Sequence, residues 1–291
     1  MSEEEKQEQE QISEEVIDPV KLVKKVRKSR KLRKGRRKQS VFRKTFRFLM
    51  TLFILFALIY VSKMPQWYLP KNAYTTVNNN TIMIVNNRIV KPHRILAFLK
   101  LHKVPDVPIY MMKTADIERD IKKLRPIKDV YIRRYAFPAR LQIIVKERTP
   151  VLSIALSETT PVVGVFAEDG VLIGHEFMPI NPNIKTIKVL AVYGGNNSYT
   201  KWTLAKVNEI QKIATYVQSY AKEPIEYIDM RNPNDVFVKV KTTKIRLGKI
   251  DSTVYERIMR IPSILPQIKL IQSNVEYLDV SWEKVNYLKL K

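Results

Sequence analysis

No cysteine occurs among the 291 residues. Disulfides, thiol nucleophiles and Cys-based zinc sites are excluded together. Glycine is scarce, with seven in all. No GxGxxG or GxxxxGKS/T pattern appears, so nothing marks a phosphate-cradling loop. Only His93, His102 and His175 could offer imidazole ligands. A zinc site needs three or four ligands within reach, and these three are scattered. A G-x-S-x-G nucleophile elbow is also missing, although residue order alone does not test a Ser-His-Asp triad. The adjacent acids Glu168 and Asp169 sit in a predicted turn and would point apart, whereas glycosidase carboxylates face each other across a cleft. The expectation is no catalytic residue, no cofactor and no metal.

What the chain has in excess is positive charge, a net +24, distributed in blocks. Residues 1–20 hold eight acids and one base, and residues 21–47 hold fifteen Lys or Arg and no acid. Met64 to Lys291 carries 35 bases against 20 acids. An acidic then basic tail over 1–44, too polar to build a core, is expected to be disordered.

Phe48 to Ser62 reads FLMTLFILFALIYVS, fifteen residues without a charge. A spanning helix wants about 20 residues, and the flanks supply the rest. Arg47 and Lys63 can snorkel, and Phe42 and Phe46 extend the apolar surface. Trp67 and Tyr68 follow as an interfacial aromatic belt. One transmembrane helix is predicted over 45–64. The alternative is a buried core helix, but nothing polar interrupts the run and it has no wet face, as a helix packed on a soluble core would. A cleaved signal would need a far shorter n-region and an A-x-A site. The positive-inside rule puts the basic run in the cytoplasm and Met64–Lys291 outside. Topology and anionic lipid headgroups account for the basic run. No interleaved aromatic between Lys21 and Gln39 argues for specific nucleic-acid binding.

Beyond a stalk over 65–80, residues 81–149 show a readable pattern. Thr81–Val85 is a short apolar strand. Pro92 opens a helix with Ile95, Leu96 and Leu99 on one face. A second helix, capped by Thr114, buries Ile117, Ile121 and Leu124 at i, i+4 and i+7. Ile127–Arg134 and Leu141–Val145 are strands, so the order is β-α-α-β-β. After Leu152 the reading is mostly β. Val162–Phe166 and Val171–Ile173 flank an Asp-Gly hairpin turn. Further strands are expected at Ile184–Tyr193, Ile225–Met230, Val236–Val240, Lys244–Leu247, Val275–Val280 and Val285–Leu290. Two helices are expected, Thr200–Ala221 and a Ser252-capped Ser252–Ile261.

The β-α-α-β-β order, running through Pro138, Leu141, Ile143 and Val145 into Glu147, Arg148, Pro150 and Val151, resembles the POTRA domain of FtsQ/DivIB cell-division proteins. The strand ending in Leu247-Gly248, the helix after it and the closing hydrophobic-Asp pattern resemble the β-domain that follows POTRA in that family. The fold expected is therefore α+β: a single transmembrane helix, a POTRA domain over 81–149 and a mixed β-domain with two helices over 150–291. One departure stands out: Ser281 occupies a position where the family commonly has Arg. By themselves, Glu147 and Arg148 read as a strand-end ion pair or a solvated edge.

With no chemistry indicated, binding remains. A terminal strand with nothing after it can add a partner strand through its backbone. Lys284, Lys289 and Lys291 either guard that edge or attract an acidic partner. The resemblance implies a non-enzymatic division scaffold whose β-domain binds FtsB/DivIC- and FtsL-like proteins near this end. It implies contacts at Tyr277, Leu278, Val280, Trp282, Tyr287 and Leu288. Those same residues read equally as core, because alternate residues of a terminal strand pack inward. Trp282, in the turn, is the best exposed anchor. Rival readings are a cell-wall-acting enzyme and another POTRA-bearing assembly factor, though the chain has no room for a long carboxy-terminal barrel.

Overall fold

The computed structural model describes residues 19–75, 81–271, 275–282 and 286–290. It has two compact units, Met1–Pro65 and Gln66–Lys291. The first unit is helix α1, Pro19–Ser62, 44 residues long. Its Val41–Ser62 stretch is apolar and long enough to cross a bilayer. At 1.5 Å per residue those 22 residues reach about 33 Å, the thickness of a hydrocarbon core. The apolar helix thus starts four residues upstream of the expected Thr45. The basic run is helical as well, where an unstructured tail was expected. Backbone hydrogen bonds within one helix continue across residues whose side chains alone look too charged to order. The acidic residues 1–18 lie outside the described residues.

In the second unit, β1 (Ile82–Val85), α2 (Pro92–Leu99), α3 (Ala115–Ile121), β2 (Ile127–Tyr135) and β3 (Arg140–Glu147) follow in the expected β-α-α-β-β order. The sheet order is β1-β3-β2, with β1 parallel and β2 antiparallel to β3. Alternation along β3 sends Leu141, Ile143 and Val145 inward onto Ile95, Leu99 and Ile121. Thr114 precedes α3 but its side chain makes no capping bond. The two helices are instead tied by His102 Nε2 and Asp120, 2.9 Å apart.

The remaining strands form one sheet. They are β4 (Pro150–Ala155), β5 (Gly164–Ala167), β6 (Leu172–Gly174), β7 (Ile187–Leu190), β8 (Ile225–Asp229), β9 (Val236–Val240), β10 (Lys244–Gly248), β11 (Val275–Asp279) and β12 (Tyr287–Leu290). Their order is β12-β11-β10-β9-β8-β7-β4-β5-β6. The Asp-Gly turn joins β5 to β6 as expected, with Gly170 at φ +78, a conformation open to glycine. Helix α4 (Leu204–Ala221) starts later than Thr200, after a Thr203 cap that accepts from the Lys206 N–H. Its Val207, Ile210, Ile213, Ala214 and Val217 lie in the core.

The expected helix Ser252–Ile261 is α5, Val254–Met259, preceded by Thr253 rather than capped by Ser252. Asp251 accepts from the Thr253 N–H there. An unexpected α6, Ile261–Ile271, follows at once. Pro262 in its first turn gives up an N–H that has no helical partner anyway. Burial of Ile261, Leu265 and Ile268 offsets the break at Pro266.

Helices α4, α5 and α6 pack against one face of the large sheet. On the other face, Val165, Ala167, Ile173 and Phe177 join the core of the preceding α/β domain. Strand β5 is therefore buried on both faces, with Phe166 turned to the helices and Val165 to the domain before it. Toward β8–β12 that second face is the open one among the described residues, with Phe237, Lys239, Lys244, Arg246 and Tyr277 half-exposed and Tyr227 and Asp279 buried on it.

Candidate binding edge and the domain junction

Strand β12 is the last in the sheet order, paired to β11 on one side. Register decides what each residue does. Leu278 pairs with Leu288, and both turn toward the helical core. Tyr277 pairs with Lys289, and Asp279 with Tyr287, on the open face. Of the six residues expected to meet a partner, Leu278 and Val280 are fully buried, so their side chains support the edge from within. Leu288 is half-buried. Tyr277 is half-buried on the open face, edge-on to Phe237 at 5.6 Å. Trp282 and Tyr287 are 60% and 54% exposed. The single-sequence pattern leaves inward and outward residues undecided, and pairing with β10 and the helices decides them.

Cross-strand register also sets Tyr277, Tyr287 and Lys289 in line with residues that the sequence reading missed. Tyr227, Lys239, Lys244, Tyr277 and Lys289 form one row across the open face. Asp229, Phe237, Arg246, Asp279 and Tyr287 form the next. The only signal in the sequence is alternation within β9 and β10, whose partners cannot be known before pairing.

Most charges in these rows are paired. Arg246 reaches Asp235 at 2.7 Å and Asp279 at 3.0 Å, and these carboxylates hold its guanidinium firmly charged. Burial pushes the Asp279 carboxyl up, but bonds from Ser281 and Arg246 outweigh it and leave the group below its ordinary value. Ser281 donates from both N–H and Oγ, at 2.9 and 2.6 Å. Lys289 bonds Glu276 at 3.0 Å, which raises its pKa. Glu158 accepts from Tyr227 at 2.6 Å and from Lys244 at 3.0 Å, and both bonds lower its pKa. Lys239 has no ion-pair partner among the described residues.

The segment leading to Trp282 is braced from behind. Arg260, just after α5, donates to the carbonyls of Val280 at 2.8 Å and Trp282 at 2.6 Å. A guanidinium thus flanks Ser281 although residue 281 is not itself Arg. Gly248, at φ +72, lets this strand approach, since a Cβ there would sit 2.8 Å from the Ser281 Cβ.

At the other end of the domain, Glu147 and Arg148 each have a structural task with other partners, rather than the mutual ion pair that was expected. The Glu147 carboxylate accepts from the N–H groups of Arg88, Ile89 and Val90 at 2.7 to 3.0 Å, holding the loop between β1 and α2. Arg148 donates to the Arg125 carbonyl at 2.9 Å and makes an ion pair with Asp169 in the β5–β6 turn. Nearby, Arg94 donates to the Glu176 carbonyl at 2.5 Å and lies over the Phe177 ring. His175 stands exposed, and no group of three or more His, Asp or Glu among the described residues could hold a metal.

The structure thus joins a small α/β domain, whose core extends into a larger sheet, to a far sheet end formed by β12. Residues 77–148 match the family model described as the POTRA domain, FtsQ-type. The chain thus carries an FtsQ-type POTRA domain, which supports an FtsQ/DivIB-like family assignment and points to a division-related scaffold. No curated protein matches the chain. Together with the one apolar helix of spanning length among the described residues, the match points to a single-pass membrane protein.

Proposed function

We propose that the chain is a non-enzymatic, single-pass scaffold of the bacterial division complex. Its amino terminus lies in the cytoplasm, and its POTRA and β-domains lie outside, at the division site. The edge of the large sheet takes a strand from an FtsB/DivIC-like protein that is itself paired with an FtsL-like one. The observation that carries this is the position of β12 at the end of the sheet order, with Trp282 and Tyr287 exposed beside it. Backbone groups along such an edge supply affinity, and the aromatics supply selectivity. Tyr277 and Leu288 set the shape beneath the incoming strand.

The test uses full-length protein in detergent with the purified partner pair. Trp282→Ala with Tyr287→Ala is expected to weaken binding at least about tenfold, the effect of losing one hot-spot residue, with melting temperature unchanged. Binding at wild-type strength by the folded variant removes this edge as the site.

A further inference from the structure

An exposed aromatic patch lies on the POTRA domain, away from the edge described above. Phe137 at the tip of the β2–β3 hairpin is 48% exposed, and Tyr110 and Met111 are 49% and 61% exposed. Trp67 stands edge-on to both rings, 4.5 Å from Phe137 and 5.6 Å from Tyr110. The patch is built rather than incidental. Arg134 donates to the carbonyls of Tyr110 and Met112, fastening the hairpin to the Ile109–Met111 turn. Phe137 holds a left-handed backbone, φ 54, which is costly for a bulky residue and tends to persist where a surface is used.

Chain geometry states what the patch can meet. The Ala139 N–H donates to the Gln66 carbonyl at 2.8 Å, so the hairpin tip is fixed beside residue 66. Gln66 lies four residues beyond Ser62, the last residue of the apolar helix, and four residues span at most roughly 14 Å. If Val41–Ser62 crosses a bilayer, the patch is held within the headgroup region or just above it. Its chemistry suits that place, because Trp and Tyr favour the boundary where one end is apolar and the other wet. Residues 65–71, 108–113 and 133–140 carry five Lys or Arg and no acid, which matches lipid phosphates.

We infer that Trp67, Tyr110, Met111 and Phe137 form a membrane-contact surface that lays the POTRA domain against the outer face of the bilayer. This goes beyond the partner edge of the β-domain and rests on the spanning helix.

The absence of native cysteine makes the test direct. Single-cysteine variants of the full chain, Met111→Cys, Ala136→Cys, Ile54→Cys and Asn196→Cys, are labelled with an environment-sensitive fluorophore and reconstituted into phosphatidylglycerol-containing vesicles. Quenching is read with lipids bearing a quencher about 5–10 Å deep, the depth of interfacial insertion, and with lipids quenched near mid-bilayer. Labels at 111 and 136 are expected to be quenched several-fold more by the shallow lipid than the label at 196. Adding Phe137→Ser to the Ala136→Cys background should reduce that quenching. A label at 54 quenched by the deep lipid, with 111 and 136 no more quenched than 196, overturns the inference and leaves the spanning helix standing. A label at 54 that escapes both lipids overturns the helix and the inference with it. Protection of 111 and 136 only after a partner protein is added assigns the patch to that partner and likewise overturns it.

Discussion

Asp279 shows how much one side chain can hold at the end of a sheet. It accepts from Ser281 and Arg246 while almost buried, and its pKa lies below the ordinary carboxylate value. A carboxylate whose folded pKa is depressed contributes stability that is present above its unfolded value, about 3.9, and lost as pH falls through the lower folded value. The expected outcome is that wild-type protein loses stability below about pH 4 partly through this group. Asp279→Asn should be less stable at pH 7 and show a flatter dependence between pH 5 and pH 2. Denaturant titrations across that range check this, and parallel pH profiles for the two proteins would falsify the assignment. Glu147 organises backbone in a different way, one carboxylate accepting from three adjacent N–H groups. The Glu-Arg-x-Pro-Val stretch was legible in the sequence as a resemblance. Its physical task was not, because residues 88–90 are nearly sixty positions away.

At the scale of elements, the contrast between β11 and β12 matters most. Strand β11 lies between β10 and β12, with Leu278 fully buried, whereas β12 is held on one side and by Leu288 against the helical core. Leu288→Ala removes part of that inward contact at a cost of about 1–2 kcal/mol, below the range for a fully buried leucine because this one is half-buried. Amide exchange of β11 and β12 should then accelerate, while β8 and β9 exchange as in wild type. Uniform acceleration across all four strands would show that β12 is integral to the global core rather than a lightly held edge. The helices read differently from the strands. The helix expected over Thr200–Ala221 was legible in the sequence, since a helix uses residues near along the chain, and α4 lies within it. Helix α6 was hidden because Pro262 and Pro266 argue locally against it, and only packing of Ile261, Leu265 and Ile268 overrides them.

Across the folded unit after Gln66, the POTRA core extends into the β-domain, beside that domain's own core against α4–α6. Val165, Ala167, Ile173 and Phe177 lie in the same apolar cluster as Ile143 and Val145. Arg148 and Arg94 add polar ties across that junction. The two should therefore unfold in a single cooperative step. Phe177→Ala combined with Arg94→Ala, a loss of roughly 3–5 kcal/mol at the junction from the Phe alone, should split that step into two calorimetric transitions. One transition at lower temperature would instead place the cooperativity elsewhere than this junction.

Sequence alone determined what depends on neighbours along the chain. These are the apolar helix ahead of a Trp-Tyr pair, the β-α-α-β-β order, the Asp-Gly hairpin and the POTRA resemblance that the family match supports. Tertiary structure decided which face each residue occupies. It withdrew Leu278 and Val280 into the core, left Trp282 and Tyr287 outside, and brought Lys244 and Phe237 beside Tyr277. Sheet pairing joins residues that the chain separates by tens of positions. A shift of one residue in that pairing exchanges the buried and exposed sets, and local pattern holds no record of which register the global core selects.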